Sequence, residues 1–134
     1  MELQILRRNL GPEASLIELV GEVDIYTSPR LKATLQEALE TGIRYFLVSL
    51  ERVEMLDSTG LGALVGGRAR ARERGGDLAL VCAQGRLLRL LQITGLRHIF
   101  RVYPDEEHFL AAYRAEGVAA FSHPVIAGGS NDAP

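Results

Sequence analysis

Tyr45-Phe46-Leu47-Val48-Ser49-Leu50 is an almost unbroken apolar run of strand length. A run without alternation suits a central strand covered on both faces, not an edge strand wet on one side. Shortly after it comes Asp57-Ser58-Thr59-Gly60-Leu61-Gly62, and Leu61, Leu64 and Val65 recur at helical spacing, with the stem of Arg68 and then Arg72 continuing the stripe. A buried strand therefore gives way to an amphipathic helix at a hydroxyl residue. Ser58 falls at or near the N-cap, where its oxygen can accept a bond from an N–H one turn inside, with Asp57 as the alternative cap. Gly60 and Gly62 lower helix propensity by roughly 1 kcal/mol each relative to alanine. A glycine pair in the first turn also clears side chains from the backbone, so another protein surface or a phosphoryl donor can approach closely. A phosphate on Ser58 would meet free backbone N–H groups and the positive end of a helix dipole. We read the site as a phosphorylation switch, beside the plainer reading in which Ser58 is only a cap.

Upstream, Glu2-Leu3-Gln4-Ile5 alternates polar and apolar, Gly11-Pro12 turns the chain, and Ile17, Leu19, Val23 and Ile25 share one face of a second strand against Glu18, Glu22 and Asp24. Thr27-Ser28-Pro29 starts a helix: serine caps, and proline at the first helical position gives up an N–H that had no partner. Leu31, Leu35, Ala38 and Leu39 form its buried stripe, and Gly42 fits the left-handed residue past its end. The strand at 44–50 follows, then the Ser58 helix to about Arg74, a turn at Gly75-Gly76-Asp77 and a strand at 78–82. A third helix from Gln84 to about Thr94 carries Leu87, Leu88, Leu90 and Leu91 and stops at Gly95. Ile99 to Tyr103 makes a short final strand. Pro104-Asp105-Glu106-Glu107 opens a last helix with its acids in the first turn, where the dipole favours them, and Phe109, Leu110 and Tyr113 pack it down.

Strands alternating with helices predict an α/β fold with a largely parallel interior. At 134 residues, 47% of them hydrophobic, the chain has room for one domain with one core. That domain is expected over residues 1–115. Residues 116–134 are expected to form a flexible tail, since the stretch from Gly117 to Pro134 is rich in Gly, Ala, Ser and Pro and has few periodic apolar positions to offset its ordering entropy.

A net charge of −2 leaves no electrostatic footprint for direct nucleic-acid binding. Arg68, Arg70, Arg72 and Arg74, at about 100° per residue, split over two opposed helix faces and read as a solvated helix, one face of which could still meet an acidic partner. Cys82, the only cysteine, lies in an apolar run and reads as a small core residue. No run approaches the length of a membrane span and the N-terminus lacks signal-peptide order, so a soluble cytosolic protein is expected, with no membrane partner.

Enzyme chemistry fits poorly. A nucleophile elbow needs a glycine two residues before the serine, and Leu56 stands there; His98, His108 and His123 lie in a turn, a polar helix start and the tail, so none is marked as a base. Gly60-Leu61-Gly62 begins a dinucleotide fingerprint whose sixth position is Val65, and the Gly62–Gly67 spacing of a Walker loop is followed by Arg68-Ala69 instead of lysine and a hydroxyl. The histidines show no ligand spacing and no carboxylate cluster resembles a calcium loop, so we expect no cofactor, no metal and no catalytic activity. Asp57 as a cap and Asp24 as a turn former each have a structural explanation.

The hexapeptide at 57–62, with Gly21-Glu22-Val23-Asp24 upstream and Leu91-Gln92-Ile93-Thr94-Gly95-Leu96 downstream, resembles the anti-sigma factor antagonist family, the STAS domains, over roughly residues 1–115. The resemblance implies a small mixed sheet with a parallel interior, flanked by about four helices. It also implies that the loop after Gly-Glu-Val-Asp lies beside the phosphoacceptor. Asp24, Tyr26, Thr27, Asp57, Thr59, Gly60, Leu61 and Gly62 thereby become candidate partner contacts around Ser58. By resemblance the unmodified protein binds an anti-sigma factor that is also a serine kinase, freeing a sigma factor; phosphorylation of Ser58 releases the complex and a serine phosphatase reverses it. The alternative within the family is a STAS scaffold or transporter-accessory module without a phosphoswitch.

Overall fold

Only Pro12 and Glu13 separate β1 (Leu3–Gly11) from β2 (Ala14–Val23), so the two must pair antiparallel, with Leu3 opposite Gly21 and Gly11 opposite Ala14. Helices make every later connection: α1 (Ser28–Glu40) leads to β3 (Tyr45–Leu56), α2 (Ser58–Glu73) to β4 (Asp77–Val81), and α3 (Gly85–Ile93) to β5 (Val102–Tyr103). Strands β2 to β5 are accordingly parallel, and the order across the sheet is β1-β2-β3-β4-β5. This computed structural model describes residues 2–124.

Successive crossovers of one hand, each stepping the same way along the sheet, must all lie on one face. Leu31 and Leu35 of α1, Leu61 and Leu64 of α2, and Leu87 and Leu91 of α3 do pack together against Phe46, Val48, Leu50, Leu78 and Leu80. The other face is covered by α4 (Glu106–Glu116), whose Phe109 meets Leu16, Leu47, Ala79 and Val81. Alternate residues of β3 and β4 thus enter opposite cores, which is why both strands read as continuous apolar runs. Cys82 follows β4 and is buried, and that burial pushes its thiol pKa up.

Several expectations need correction. Strand β3 does not end at Leu50; it continues to Leu56 alongside β2, with register shifts at Glu18/Val20 and Gly21/Glu22. The last strand is only Val102–Tyr103. Thr27, not Ser28, precedes α1, so Ser28 and Pro29 lie within its first turn. Val65 is exposed; the inner face of α2 is Gly60, Leu61, Ala63, Leu64, Gly67 and Ala71. Arg68, expected in solvent, is largely covered and lies 3.2 Å from the buried carboxylate of Asp77; Arg72 and Arg74 are exposed as expected, though Arg72 reaches the same carboxylate at 3.0 Å and Arg74 the Leu39 carbonyl.

The boundary at Ala115 is also overturned within the described residues. Helix α4 runs through Glu116, Gly117 takes φ +64° to end it, and a 3-10 turn over Gly117–Phe121 folds back onto the sheet. Ala120 and Phe121 are fully buried there. Tyr103 donates its hydroxyl to the Ala120 carbonyl at 2.8 Å, and Phe121 lies 4.9 Å, centroid to centroid, from Phe109. One aromatic anchor outweighs the poor composition around it. Residues 125–134 of the expected tail lie outside the described residues.

Candidate functional site

The extension of β3 to Leu56 delivers the hexapeptide to the end of the sheet beside the end of β2. Asp57 donates its N–H to the Val23 carbonyl at 3.2 Å, tying the start of α2 to the residue before Asp24. Asp57 is also the cap: its backbone is extended and its carboxylate accepts from the Gly60 N–H at 3.0 Å. Ser58 is therefore not the cap but the first helical residue. The capping bond leaves Ser58 exposed, and among the described residues its hydroxyl makes no side-chain hydrogen bond. The amides of Ser58 and Thr59 precede the first intrahelical bond, from Leu61 N–H to the Asp57 carbonyl at 2.9 Å, so the positive end of the helix lies open beside the hydroxyl.

The two glycines have opposite environments. A β-carbon at Gly60 would lie 2.6 Å from Leu56 Cδ1 and 2.7 Å from the Val23 carbonyl oxygen, whereas one at Gly62 would meet nothing within 4 Å. Gly60 is needed inside, where α2 seats on the end of β2, and Leu61 is buried with it. Both residues are buried and serve the packing of α2, so they offer a partner little surface, against the expectation for both. Exposed Gly62 and half-buried Thr59 remain available. Gly60→Ala should destabilise the fold by about 1–3 kcal/mol through overpacking, whereas Gly62→Ala should stabilise it by up to roughly 1 kcal/mol through helix propensity; urea unfolding of both variants checks the contrast.

The neighbouring loop is built by Asp24. Its Oδ1 accepts from the N–H groups of Tyr26 and Thr27, each at 2.9 Å, while the Thr27 hydroxyl accepts from the Asp24 N–H at 2.9 Å and donates to the Glu22 carbonyl at 2.8 Å. Asp24 and Thr27 are buried, so they hold the loop and do not offer a surface. What they display is Ile25 and Tyr26, 62% and 86% exposed. The strand alternation placed Ile25 in the core; β2 ends at Val23, and the turn locked by Asp24 swings Ile25 outward.

Burial acts to raise the Asp24 carboxyl pKa, but the hydrogen bonds from the Thr27 and Tyr26 amides hold it below the ordinary carboxylate value. A folded-state pKa below the unfolded one means stability that is complete above the unfolded value and lost as pH falls through it toward the folded value. Asp24→Asn keeps an acceptor oxygen but does not titrate, so its urea midpoint should fall less between neutral pH and acid than that of the wild type.

Among the described residues there is no group of His, Cys, Asp or Glu able to hold a metal ion, and no helix is long and apolar enough to cross a membrane. Residues 7–108 match the STAS domain family. An anti-sigma-B factor antagonist of Staphylococcus aureus is 36% identical over 91 residues, which is 68% of this chain and 84% of that protein. An anti-sigma factor antagonist structure from Mycobacterium paratuberculosis superposes with a TM-score of 0.71 at 26% identity, covering 84% of this chain and 95% of that one. The anti-sigma factor antagonist SpoIIAA shares the fold in its unphosphorylated form, at TM-score 0.68, 19% identity and coverage of 86% and 100%, and in its phosphorylated Bacillus form at TM-score 0.65. With a five-stranded mixed sheet, helices on both faces and this match over most of its length, the chain belongs to the STAS domain family.

Proposed function

We propose that this protein is an anti-sigma factor antagonist acting in the cytoplasm, whose grip on an anti-sigma factor is set by phosphate on Ser58. Bare Ser58 leaves the start of α2, with Ile25 and Tyr26 beside it, free to dock on the anti-sigma factor, and the sigma factor held by that partner is released. The anti-sigma factor is itself the serine kinase: it transfers the γ-phosphoryl group of its own ATP to the Ser58 oxygen, ADP leaves, and the complex separates. A serine phosphatase restores the hydroxyl. The chain is substrate and ligand in this cycle, and contributes no catalysis.

The observation that carries the reading is the division of labour at 57–58. Asp57 takes over the capping bond, so Ser58 has no structural duty and lies exposed at a helix N-terminus. The names of the relatives and the existence of SpoIIAA in a phosphorylated form support it. The test has two parts: co-purification of partners with Ser58→Ala to recover the anti-sigma factor, and mass spectrometry of wild type, Ser58→Ala and Thr59→Ala after incubation with that partner and ATP. Phosphate should appear on wild type and Thr59→Ala, and be absent from Ser58→Ala. Phosphate still gained by Ser58→Ala would move the acceptor elsewhere.

A further inference from the structure

A cleft of about 480 Å³ separates the last residues of β3 from α3. Its floor is apolar, formed by Met55 and Leu56 on one side and by Leu87 and Leu90 on the other. Ile93, 76% exposed, stands at one end. Arg86 and Arg89 line the α3 side and Glu54 the β3 side, with Arg86 donating to the Glu54 carbonyl. Among the described residues neither Arg86 nor Arg89 is in an ion pair, which is also true of Arg7, Arg30, Arg70, Arg74, Arg97 and Arg114; what sets the two apart is their place beside an apolar floor. The trough thus joins an apolar floor to a lining with two arginines against one glutamate.

We propose that this cleft receives an acidic amphipathic helix of the anti-sigma factor, a proposal that rests on the partner binding put forward above. Helix α3, with its nine residues, is roughly 13 Å long at 1.5 Å per residue. It carries its contacts at spacing three, Arg86 with Arg89 and Leu90 with Ile93. A partner helix of about two turns laid along it would place apolar residues on the floor and Asp or Glu side chains against the arginines. The chemistry disfavours a small molecule, because the cleft is open along its length and sites for such ligands usually enclose most of the ligand surface.

Leu56 connects this groove to the switch. Its side chain lines the cleft and also lies against the backbone of Gly60 in the first turn of α2. The cleft therefore begins two residues before Ser58 in the chain, so a partner that reaches both would bring a phosphate on Ser58 to the margin of its footprint.

The test titrates the anti-sigma factor recovered with Ser58→Ala onto full-chain variants. Ile93→Glu and the double variant Arg86→Glu/Arg89→Glu should each weaken binding at least tenfold with unchanged thermal midpoints. The double variant should also bind with a flatter salt dependence. Ile93→Cys adds a second cysteine to a chain whose own Cys82 is buried, so a cross-linker placed there must attach to an acidic amphipathic segment of the partner. Wild-type affinity in the charge and Ile93 variants, with Ser58→Asp still weakening the complex, overturns the groove and leaves the switch standing. Weakened groove variants beside an unaffected Ser58→Asp uphold the groove and remove the switch. Attachment to a basic segment, or loss of self-association as the only effect of Ile93→Glu, also overturns the proposal, the latter by assigning the cleft to a second copy of this chain.

Discussion

Phosphate on Ser58 should weaken the complex with the anti-sigma factor by roughly two to three powers of ten, equivalent to about 3–4 kcal/mol, while the thermal midpoint of the free protein hardly moves. The asymmetry follows from where the charge sits. In the free protein Ser58 is solvated at the first position of α2, and a dianion there is favoured by the helix dipole by roughly 0.3–1 kcal/mol. In the complex the same group, carrying about −1.5 to −2 charge units, must lose water against the partner. The Asp57 carboxylate adjoining Ser58 is committed to the Gly60 N–H, and its repulsion of the phosphate, weakened by water in the free protein, strengthens once a partner excludes that water. Ser58→Asp adds a single charge on a shorter side chain and should act in the same direction with smaller size. Ser58→Ala should bind as tightly as the bare wild type and stay bound when ATP is added. Calorimetric titration of bare and phosphorylated protein measures the ratio, and equal dissociation constants would sink the mechanism.

The parts of this site that could be read from sequence are those governed by periodicity. Strand β3 and its neighbour β4 declare themselves because both faces are buried, and α3 because its leucines recur on one stripe. The placing of the cap could not be read. Asp57 and Ser58 are adjacent residues with equal competence as caps, and the choice is made by β3 running on to Leu56 and by the Asp57 bond to Val23, a pairing between segments distant in sequence. The same long-range docking decides the glycines. Gly60 and Gly62 look equivalent in the chain, but only the first faces the end of β2.

Ile25 shows the limit of alternation from the other side. Its spacing from Val23 is that of a core residue, and the Asp24 turn overrides the pattern within two residues. The signal that could have found it was present: an aspartate followed three residues later by a threonine able to close the turn. Asp24 and Thr27, expected as contacts, are buried, and their hydrogen bonds hold Ile25 and Tyr26 outward.

Phe121→Ala should destabilise the protein by about 3–5 kcal/mol, the range for removing a fully buried aromatic, and lower the thermal midpoint by roughly 10–20 °C at this chain length. Phe121 is enclosed by Tyr45, Phe109 and Tyr113, at centroid distances of 5.3, 4.9 and 5.5 Å, so its loss opens a cavity between α4 and the sheet that three aromatic rings cannot close by small shifts. Val118→Ala, in the same turn but exposed, should stay within about 0.5 kcal/mol of wild type, which separates packing from any general sensitivity of the segment. A chain ended at Ala115 should lose more than Phe121→Ala, since the Tyr103 bond to Ala120 goes with it. Because Phe121 packs on the face of the sheet opposite α2, the folded fraction of Phe121→Ala should bind the anti-sigma factor with wild-type affinity at a temperature well below its midpoint. A wild-type melting curve for this variant would return the domain boundary to Ala115. A changed dissociation constant at full folding would instead mean that the two faces communicate through β3, the strand they share.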